Sequence, residues 1–222
     1  TGAFSETVCA GEGMVFPKPA GLEFGQAAGV IVNYLTSYYA LKQRAALKKG
    51  ETLLVLGAGG GVGITAVEIG KLMGARVIAA ASSEEKLQLA RDMGADDTIN
   101  YSEASLKDAI KELTGGRGAD VVYDPVGGEY SEMALRGTAW NGRFLVIGFA
   151  AGPIPKIPLN LALLKGCSIV GVFWGASLGN EPEINENNIR ELWEHFESGR
   201  LKPMVAERYP LERYRSEEHT SE

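Results

Sequence analysis

A glycine-rich run in the first third of the chain has the residue types and spacing of a phosphate-binding turn. It reads Thr52-Leu-Leu-Val-Leu-Gly-Ala-Gly-Gly-Gly-Val-Gly63. The apolar residues predict a buried strand, and the glycines predict a tight turn before a helix. Because they lack Cβ, Gly60, Gly61 and Gly63 let the backbone approach phosphate oxygens, while the helix from Val62 directs its unpaired N–H groups at the anion. The chemistry predicted is binding of a pyrophosphate, with no bond made or broken.

The spacing departs from the strict dinucleotide-binding pattern, since Ala58 stands where the first glycine of G-x-G-x-x-G belongs. A glycine-rich helix start without a ligand is the alternative. The residues that follow favour the ligand. A helix over Val62–Gly74, a strand over Arg76–Ala81 and a helix over Ser83–Arg91 complete one strand-helix-strand unit with its next helix.

The same alternation continues along the chain and predicts the elements that position this turn. The further predicted strands are Asp97–Asn100, Asp120–Asp124, Arg143–Ile147 and Ser168–Phe173, and the further helices are Leu106–Leu113, Tyr130–Ala139 and Glu186–Ser198. Six strands alternating with helices predict a Rossmann-like, doubly wound parallel α/β sheet with strand order 3-2-1-4-5-6. In such a sheet, ligands bind at the carboxyl ends of the strands.

Composition limits the partners that we expect. The chain has 222 residues, is 45% hydrophobic and 23% charged, and carries a formal net charge of −6, which predicts a globular protein without a nucleic-acid partner. The sequence shows no apolar run of membrane-spanning length and no signal peptide, so we expect no membrane partner and a cytoplasmic location. Cys9 and Cys167 lie far apart, which predicts neither a disulfide framework nor a zinc ribbon.

The end of the second predicted strand informs the choice of cofactor. NAD enzymes place an Asp or Glu there for the ribose hydroxyl, whereas this chain has Ser82 and Ser83, with Lys86 within one helical turn. Hydroxyl and ammonium donors at this place favour the 2′-phosphate of NADPH. Alternatively, Ser82 or Ser83 caps the helix, Glu85 completes a capping box and Lys86 is solvated, and the two interpretations are compatible.

Several motifs together resemble one family of oxidoreductases. They are Gly57-Ala-Gly-Gly-Gly-Val-Gly63, Ala81-Ser-Ser-Glu-Glu-Lys86, Asp124-Pro-Val-Gly-Gly128 and Gly142-Arg-Phe-Leu-Val-Ile-Gly148. The chain resembles the zinc-independent quinone oxidoreductase branch of the medium-chain dehydrogenase/reductases. The resemblance implies an NADPH-dependent enzyme that transfers hydride to a small electrophilic acceptor, a quinone or an activated enone. It also implies a homodimer that pairs through the sixth strand.

The resemblance further implies how the chain is divided. Residues 1–32 are expected to be a remnant of a GroES-like substrate domain and its linker, and residues 33–185 the NADP-binding Rossmann domain. Residues 186–214 are expected to form a helix and the start of the return to the substrate domain. Residues 215–222 match a translated sequencing adapter, although a genuine polar tail is the alternative. Substrate-polarising residues would then lie mostly outside the chain, so we assign no catalytic residue and expect the chain to bind better than it reacts.

The remaining candidate residues follow from the resemblance. Thr36 would lie at the nicotinamide, and Asn33 stands where zinc-dependent relatives have a cysteine ligand, so no zinc is expected. Tyr101 would pack beside the adenosine phosphate, or it is a half-buried aromatic at a strand end. Tyr38 and Tyr39 are interpreted as core. The other expected cofactor contacts, mostly at strand ends, are Val126, Gly127, Gly148, Phe149, Phe173 and Trp174.

The sequence shows no nucleophile elbow, metal-ligand cluster or Ser/His/Asp set, and hydride transfer requires none of them. His195 is expected to be a solvated or capping side chain without a catalytic role. Two other functions stay open. One is reduction of an enoyl thioester, and the other is a non-catalytic dinucleotide-binding redox sensor.

Overall fold

Continuous apolar runs form the central strands of a parallel sheet. All five residues of β1, Thr52–Leu56, are buried, and in β2, Arg76–Ala81, every residue after Arg76 is buried. Strands covered by helices on both faces need apolar side chains at successive positions, because neither face meets water. The pattern that predicted these strands therefore reflects their double burial.

The computed structural model describes residues 5–11, 15–205 and 207–213. Within these residues, none of the helices has the length and apolar character needed to cross a membrane. The segment 215–222, expected to derive from an adapter, lies outside the described residues. The remaining elements are α1 Phe24–Tyr39 with a π-helical turn Ala40–Arg44, α2 Gly61–Leu72, α3 Glu84–Asp92, β3 Asp97–Asn100, α4 Leu106–Leu113, β4 Ala119–Asp124, α5 Gly128–Arg136, β5 Thr138–Val146, α6 Asn160–Lys165, β6 Ser168–Gly171, α7 Trp174–Asn180 and α8 Pro182–Glu197.

The strand order is β3-β2-β1-β4-β5-β6, and each neighbouring pair is parallel. This confirms the predicted fold class and strand order. The direction of winding changes between β1 and β4, so a crevice opens beyond their carboxyl ends, where doubly wound sheets bind their ligands. Because every strand runs the same way, the predicted site segments that follow strands all lie at the carboxyl ends of the sheet.

Two apolar cores cover the two faces of the sheet. Leu53 and Val55 of β1 point into a core shared with α1, α2 and α8, whereas Leu54 and Leu56 point into a core shared with α4, α5 and α6. In the first core the rings of Tyr34 and Phe196 pack edge to face, with centroids 5.0 Å apart. Packing from both sides fixes the strand ends that carry the candidate site.

The predicted helix over Tyr130–Ala139 is wrong at its carboxyl end. α5 ends at Arg136, and Thr138 already pairs with Ala119 as the first residue of β5. β5 then makes an irregular excursion, in which Asn141 has a φ of 58°, before Arg143 pairs with Val121. Sheet pairing thus overrides the helical pattern after Arg136, an effect that local sequence does not reveal.

The region around β6 also differs from the prediction. β6 ends at Gly171 rather than Phe173, because Phe173 precedes α7, a helix that the sequence pattern did not predict. α6 was likewise not predicted, since it follows directly on a proline-containing segment. α8 begins at Pro182 instead of Glu186, and proline is well suited to the first turn of a helix because its missing N–H is not needed there.

Candidate functional site

Two glycines shape the turn between β1 and α2. Gly57 has a φ of 57°, a conformation that side chains disfavour, and a Cβ there would lie 2.8 Å from Cγ2 of Val126. A Cβ on Gly63 would lie only 2.1 Å from the carbonyl oxygen of Gly57. Glycine is therefore required at position 63 for the turn to close on itself.

The first turn of α2 presents backbone donors to the crevice. Gly60 precedes the helix with extended backbone, and among the described residues no side chain caps this helix end. Gly60 and Gly61 are exposed, and Val62 is half-buried. The N–H groups of a helix start need acceptors, and their positive dipole end attracts anions. The turn therefore has the donors and the space that a pyrophosphate requires.

α1 places the predicted residue Asn33 beside this turn. The side-chain amide of Asn33 lies so close that a Cβ on Gly61 would be 3.0 Å from its Nδ2. Thr36 follows three residues later, on the same side of α1, and is half-buried. A cleft of ≈ 190 Å³ separates the helix from the turn, and its lining includes Asn33, Tyr34, Gly60 and Gly61.

The tyrosines that follow Thr36 serve packing, as expected. Tyr38 and Tyr39 are 5% and 6% exposed. Their hydroxyls donate hydrogen bonds to Glu191 at 2.6 Å and Glu181 at 2.7 Å, which ties α1 to α8 and to the residue preceding α8. Burial, together with these carboxylates, raises the pKa of Tyr38 and Tyr39 above the ordinary value.

The end of β2 places hydroxyls and one lysine next to the glycine turn. Ser83 caps α3 by accepting a hydrogen bond from the backbone N–H of Lys86 at 3.4 Å, whereas Ser82 is exposed. A Cβ on Gly59 would lie 2.6 Å from Cβ of Lys86, so the lysine stem packs on the turn and the side chain is half-buried rather than solvated. Cap and phosphate contact remain compatible.

The acidic residues of α3 do not form the capping box that was the alternative interpretation of Ser83 and Glu85. Because Ser83 is the cap, Lys86 and not Glu85 occupies the third helical position, so Glu85 completes no capping box. Glu84 forms an ion pair with Arg91 at 2.7 Å. That pairing partly neutralises the carboxylate nearest to the serines.

Tyr101, after β3, stands against an aromatic residue that the sequence did not single out. Its ring is 4.4 Å, centroid to centroid, from the ring of Tyr130 in α5. Tyr101 is half-buried, and this burial raises its pKa. Because Tyr130 lies on a separate helix, only the fold brings the pair together.

A buried carboxylate organises the turn after β4. Asp124 is 2% exposed and accepts hydrogen bonds from the backbone N–H groups of Val126 and Gly127, both at 2.9 Å, and from Oγ of Ser131 at 2.5 Å. Burial raises the pKa of Asp124, and the three hydrogen bonds act in the opposite direction. The signal for this cradle was the Asp-Pro-Val-Gly-Gly sequence at a strand end, but its partner Ser131 could not be predicted.

The turns after β4 and β5 interlock. Gly127 has a φ of 74°, and a Cβ there would lie 2.9 Å from the ring of Phe149. A Cβ on Gly148 would lie 3.3 Å from the carbonyl oxygen of Pro125. The fold therefore brings the predicted residues Val126, Gly127, Gly148 and Phe149 together at the crevice.

The two predicted residues after β6 point in different directions. Phe173 is 76% exposed. The indole N–H of Trp174 donates to Oδ1 of Asn185 at 3.2 Å, so this side chain packs towards α8. The side chain of Trp174 is therefore committed to α8, whereas the side chain of Phe173 is open to solvent.

His195, expected to be a solvated or capping side chain, is half-buried in the last turn of α8. Its ring lies 6.3 Å from the ring of Tyr38, and its Nδ1 is buried without a hydrogen-bond partner in the described part of the chain. Burial lowers the pKa of His195. That His195 has no catalytic role stays a prediction.

Comparison with known proteins identifies the family. The sequence profile described as zinc-binding dehydrogenase matches residues 61–197. The chain belongs to this family. The part of this family member that the structure describes has no group of three or more His, Cys, Asp or Glu residues placed to hold a metal.

Its relatives place this dehydrogenase family member in the quinone oxidoreductase branch of the medium-chain dehydrogenase/reductases. A quinone oxidoreductase-like protein 2 homolog of Nematostella vectensis is 40% identical over 197 residues, covering 88% of the chain and 54% of the relative. The structure of Thermus thermophilus quinone oxidoreductase, also solved with NADPH, has a TM-score of 0.84 at 33% identity, over 98% of the chain and 69% of that protein. The CurK enoyl reductase has a TM-score of 0.81 at 26% identity, over 94% and 63%. The chain spans about half the length of the Nematostella relative.

Proposed function

We propose that the chain binds NADPH and is part of an oxidoreductase that transfers hydride from NADPH to a quinone or an activated enone. The observation that carries this proposal is the pairing of the uncapped glycine turn with Lys86, whose stem packs on Gly59. Donors for a pyrophosphate and a cation at the end of β2 thus lie side by side. A solved relative contains NADPH, which supports the same cofactor here.

The residues present fit this cofactor. The N–H of Gly60 donates within the turn to the carbonyl oxygen of Gly57 at 2.9 Å, so the N–H groups of Gly61 and Val62 would hold the pyrophosphate, with the glycine backbone allowing its close approach. Ser82, Ser83 and Lys86 would hold the 2′-phosphate. The half-buried ring of Tyr101 would pack beside the adenosine phosphate. The nicotinamide half of NADPH would contact Asn33, Thr36 and the interlocked turns after β4 and β5. The backbone at Phe173 and Trp174 would contribute further contacts to it.

When bound, NADPH supplies the hydride, so the protein has only to hold the cofactor and the acceptor in register and exclude water. The apolar surfaces of Val126 and Phe149 suit the exclusion of water.

We propose that zinc has no part in the reaction, because Asn33 is an amide and not a thiolate. The residues that polarise the acceptor belong to the GroES-like substrate domain, of which residues 1–32 are the proposed remnant before the Rossmann domain at residues 33–185. A cytoplasmic location remains a prediction from the sequence.

Reduction of an enoyl thioester is the second candidate, favoured by the similarity to CurK enoyl reductase. NADPH oxidation should be measured with benzoquinone, an unsaturated ketone and an enoyl-coenzyme A, using the longest natural reading frame that contains this chain. We expect oxidation with the quinone or the ketone to be fastest. Faster oxidation with the thioester would support the second candidate, and binding without oxidation of NADPH by any acceptor would support a non-catalytic redox sensor.

We also propose a homodimer that pairs through β6. The strand lies at the edge of the sheet. Exposed apolar side chains lie on this strand and on the β5 and α6 elements that precede it: Ile169, Trp140, Leu163 and Leu164. The N–H of Val172 donates to the carbonyl of Val146 in β5 at 3.0 Å. Because the backbone N–H groups of successive residues in a strand point to opposite sides, the N–H of Val170 also points towards β5. The N–H of Ile169 therefore faces the open edge, where a twofold mate would pair.

Ile169→Pro is expected to weaken the dimer, because proline removes a donor at the open edge and leaves the bonds of Val170 to β5 in place. Ile169→Ala is the matched control, since it shortens the same side chain and keeps the N–H. Light scattering over a dilution series should show the proline variant dissociating at a higher concentration than the alanine variant. Equal dissociation of the two variants would contradict pairing through the backbone of β6.

A further inference from the structure

A buried cluster of three hydroxyls lies beneath the cleft between α1 and α2. Ser37, Thr65 and Tyr123 are 0%, 3% and 0% exposed, and they come from α1, α2 and β4. Oγ of Ser37 lies 2.8 Å from Oγ1 of Thr65 and 2.9 Å from the hydroxyl oxygen of Tyr123. We call Ser37, Thr65 and Tyr123 the hydroxyl cluster.

The hydroxyl cluster is anchored to the backbone at the two places that the proposed site uses. Ser37 donates to the carbonyl oxygen of Val62, in the first turn of α2, at 3.0 Å. Oγ1 of Thr65 lies 3.0 Å from the same carbonyl and 3.2 Å from the carbonyl oxygen of Asn33 in α1. One contact set therefore joins the helix that carries Asn33 and Thr36 to the turn proposed to hold the pyrophosphate.

Tyr123, the third residue of the hydroxyl cluster, connects α1 to the sheet. The Tyr123 hydroxyl reaches Ser37 from β4, the strand beside β1 at the crevice. Burial raises the pKa of Tyr123, so the hydroxyl keeps its proton and remains a donor. Apolar packing alone would leave α1 free to slide by fractions of an ångström along α2, whereas directional hydrogen bonds fix one register.

We propose that the hydroxyl cluster is a positioning device, which sets the nicotinamide-side residues of α1 in register with the pyrophosphate turn of α2. The inference rests on the proposed NADPH site. Ser37, Thr65 and Tyr123 are not among the residues proposed to hold NADPH, and they act through Asn33, Thr36 and Val62. A ligand that spans both halves of the site depends on the register, whereas a ligand that occupies only the adenosine half does not.

Two probes separate these effects: NADPH, which spans both halves, and 2′,5′-ADP, which lacks the nicotinamide half. In the 222-residue chain, Ser37→Ala is expected to raise the Kd of NADPH about tenfold. The Kd of 2′,5′-ADP should change less than about twofold, because the substitution leaves the contacts of the adenosine half in place. Thr65→Val removes a second hydroxyl with little change of shape and should show the same split.

Thr138→Val is the matched control. Its buried Oγ1 donates to the carbonyl of Ala134 at 3.2 Å near the other end of the sheet, so its loss should lower thermal stability without splitting the two Kd values. Equal weakening of both probes in Ser37→Ala and Thr65→Val, or no change in either, would overturn the positioning role. A parent chain that binds 2′,5′-ADP and NADPH equally well would also overturn it. A parent that binds neither probe would instead overturn the proposed function on which this inference rests.

Discussion

Gly63→Ala is expected to abolish measurable NADPH binding and to destabilise the fold by about 3–5 kcal/mol. The added Cβ would lie 2.1 Å from the carbonyl oxygen of Gly57, 2.8 Å from its carbonyl carbon and 3.0 Å from Cα of Ala58. All three atoms are backbone, so the turn must open instead of a side chain moving aside. Opening it displaces the N–H groups proposed to hold the pyrophosphate, and a displacement of about 1 Å can cost a hundredfold in function.

Gly179→Ala is the control for this change. Gly179 is an exposed residue of α7, and a Cβ there would meet nothing within 4 Å. Alanine should stabilise that helix by up to about 1 kcal/mol and leave NADPH binding unchanged. Urea denaturation and fluorescence titration measure both quantities. A Gly63→Ala chain with parental stability would show that the tight turn does not exist as described.

Lys86→Met is expected to weaken NADPH binding by about 1.5–3 kcal/mol, the range for a lost hydrogen bond to a charged group. NADH binding should hardly change, because NADH has a hydroxyl where NADPH has the 2′-phosphate. Methionine is chosen because Cβ of Lys86 packs on Gly59, and an unbranched apolar stem preserves that contact. The change therefore removes the charge without disturbing the glycine turn.

Lys86→Ala and Ser82→Asp complete this comparison. If the charge matters, the alanine and methionine variants lose NADPH affinity alike, and Ser82→Asp shifts preference towards NADH by repelling the phosphate and accepting from a free ribose hydroxyl. Isothermal titration with both cofactors measures all three variants. Equal losses for NADPH and NADH in Lys86→Met would show that the lysine supports the turn and does not read the 2′-phosphate.

The sequence predicted those parts of the molecule whose causes are local. Continuous apolar runs and a glycine turn specify β1 and the start of α2, and Ser83 after β2 specifies a helix cap. By contrast, the end of α5 depends on pairing of Thr138 with Ala119, which are far apart along the chain. No periodicity in the neighbourhood of Arg136 carries that information.

The candidate site divides in the same way. The glycines and the serines after β2 are visible as short motifs. The contact of Lys86 with Gly59 and the tilted packing of Tyr101 against Tyr130 exist only because elements that are distant in the sequence meet at the carboxyl ends of the strands. The buried hydroxyl of Ser37 is least visible of all, because serine in an amphipathic helix gives no sign of whether it faces water or a neighbouring helix.

Direct titration of the 222-residue chain with NADPH and NADH shows whether the crevice beyond β1, β2 and β4 is an NADPH site. Enhancement of nicotinamide fluorescence, or heat of binding, gives both dissociation constants under one set of conditions. We expect NADPH to bind at least about tenfold more tightly than NADH, a difference of about 1.4 kcal/mol. A folded chain that binds neither cofactor, or that prefers NADH, would rule out an NADPH site in this crevice.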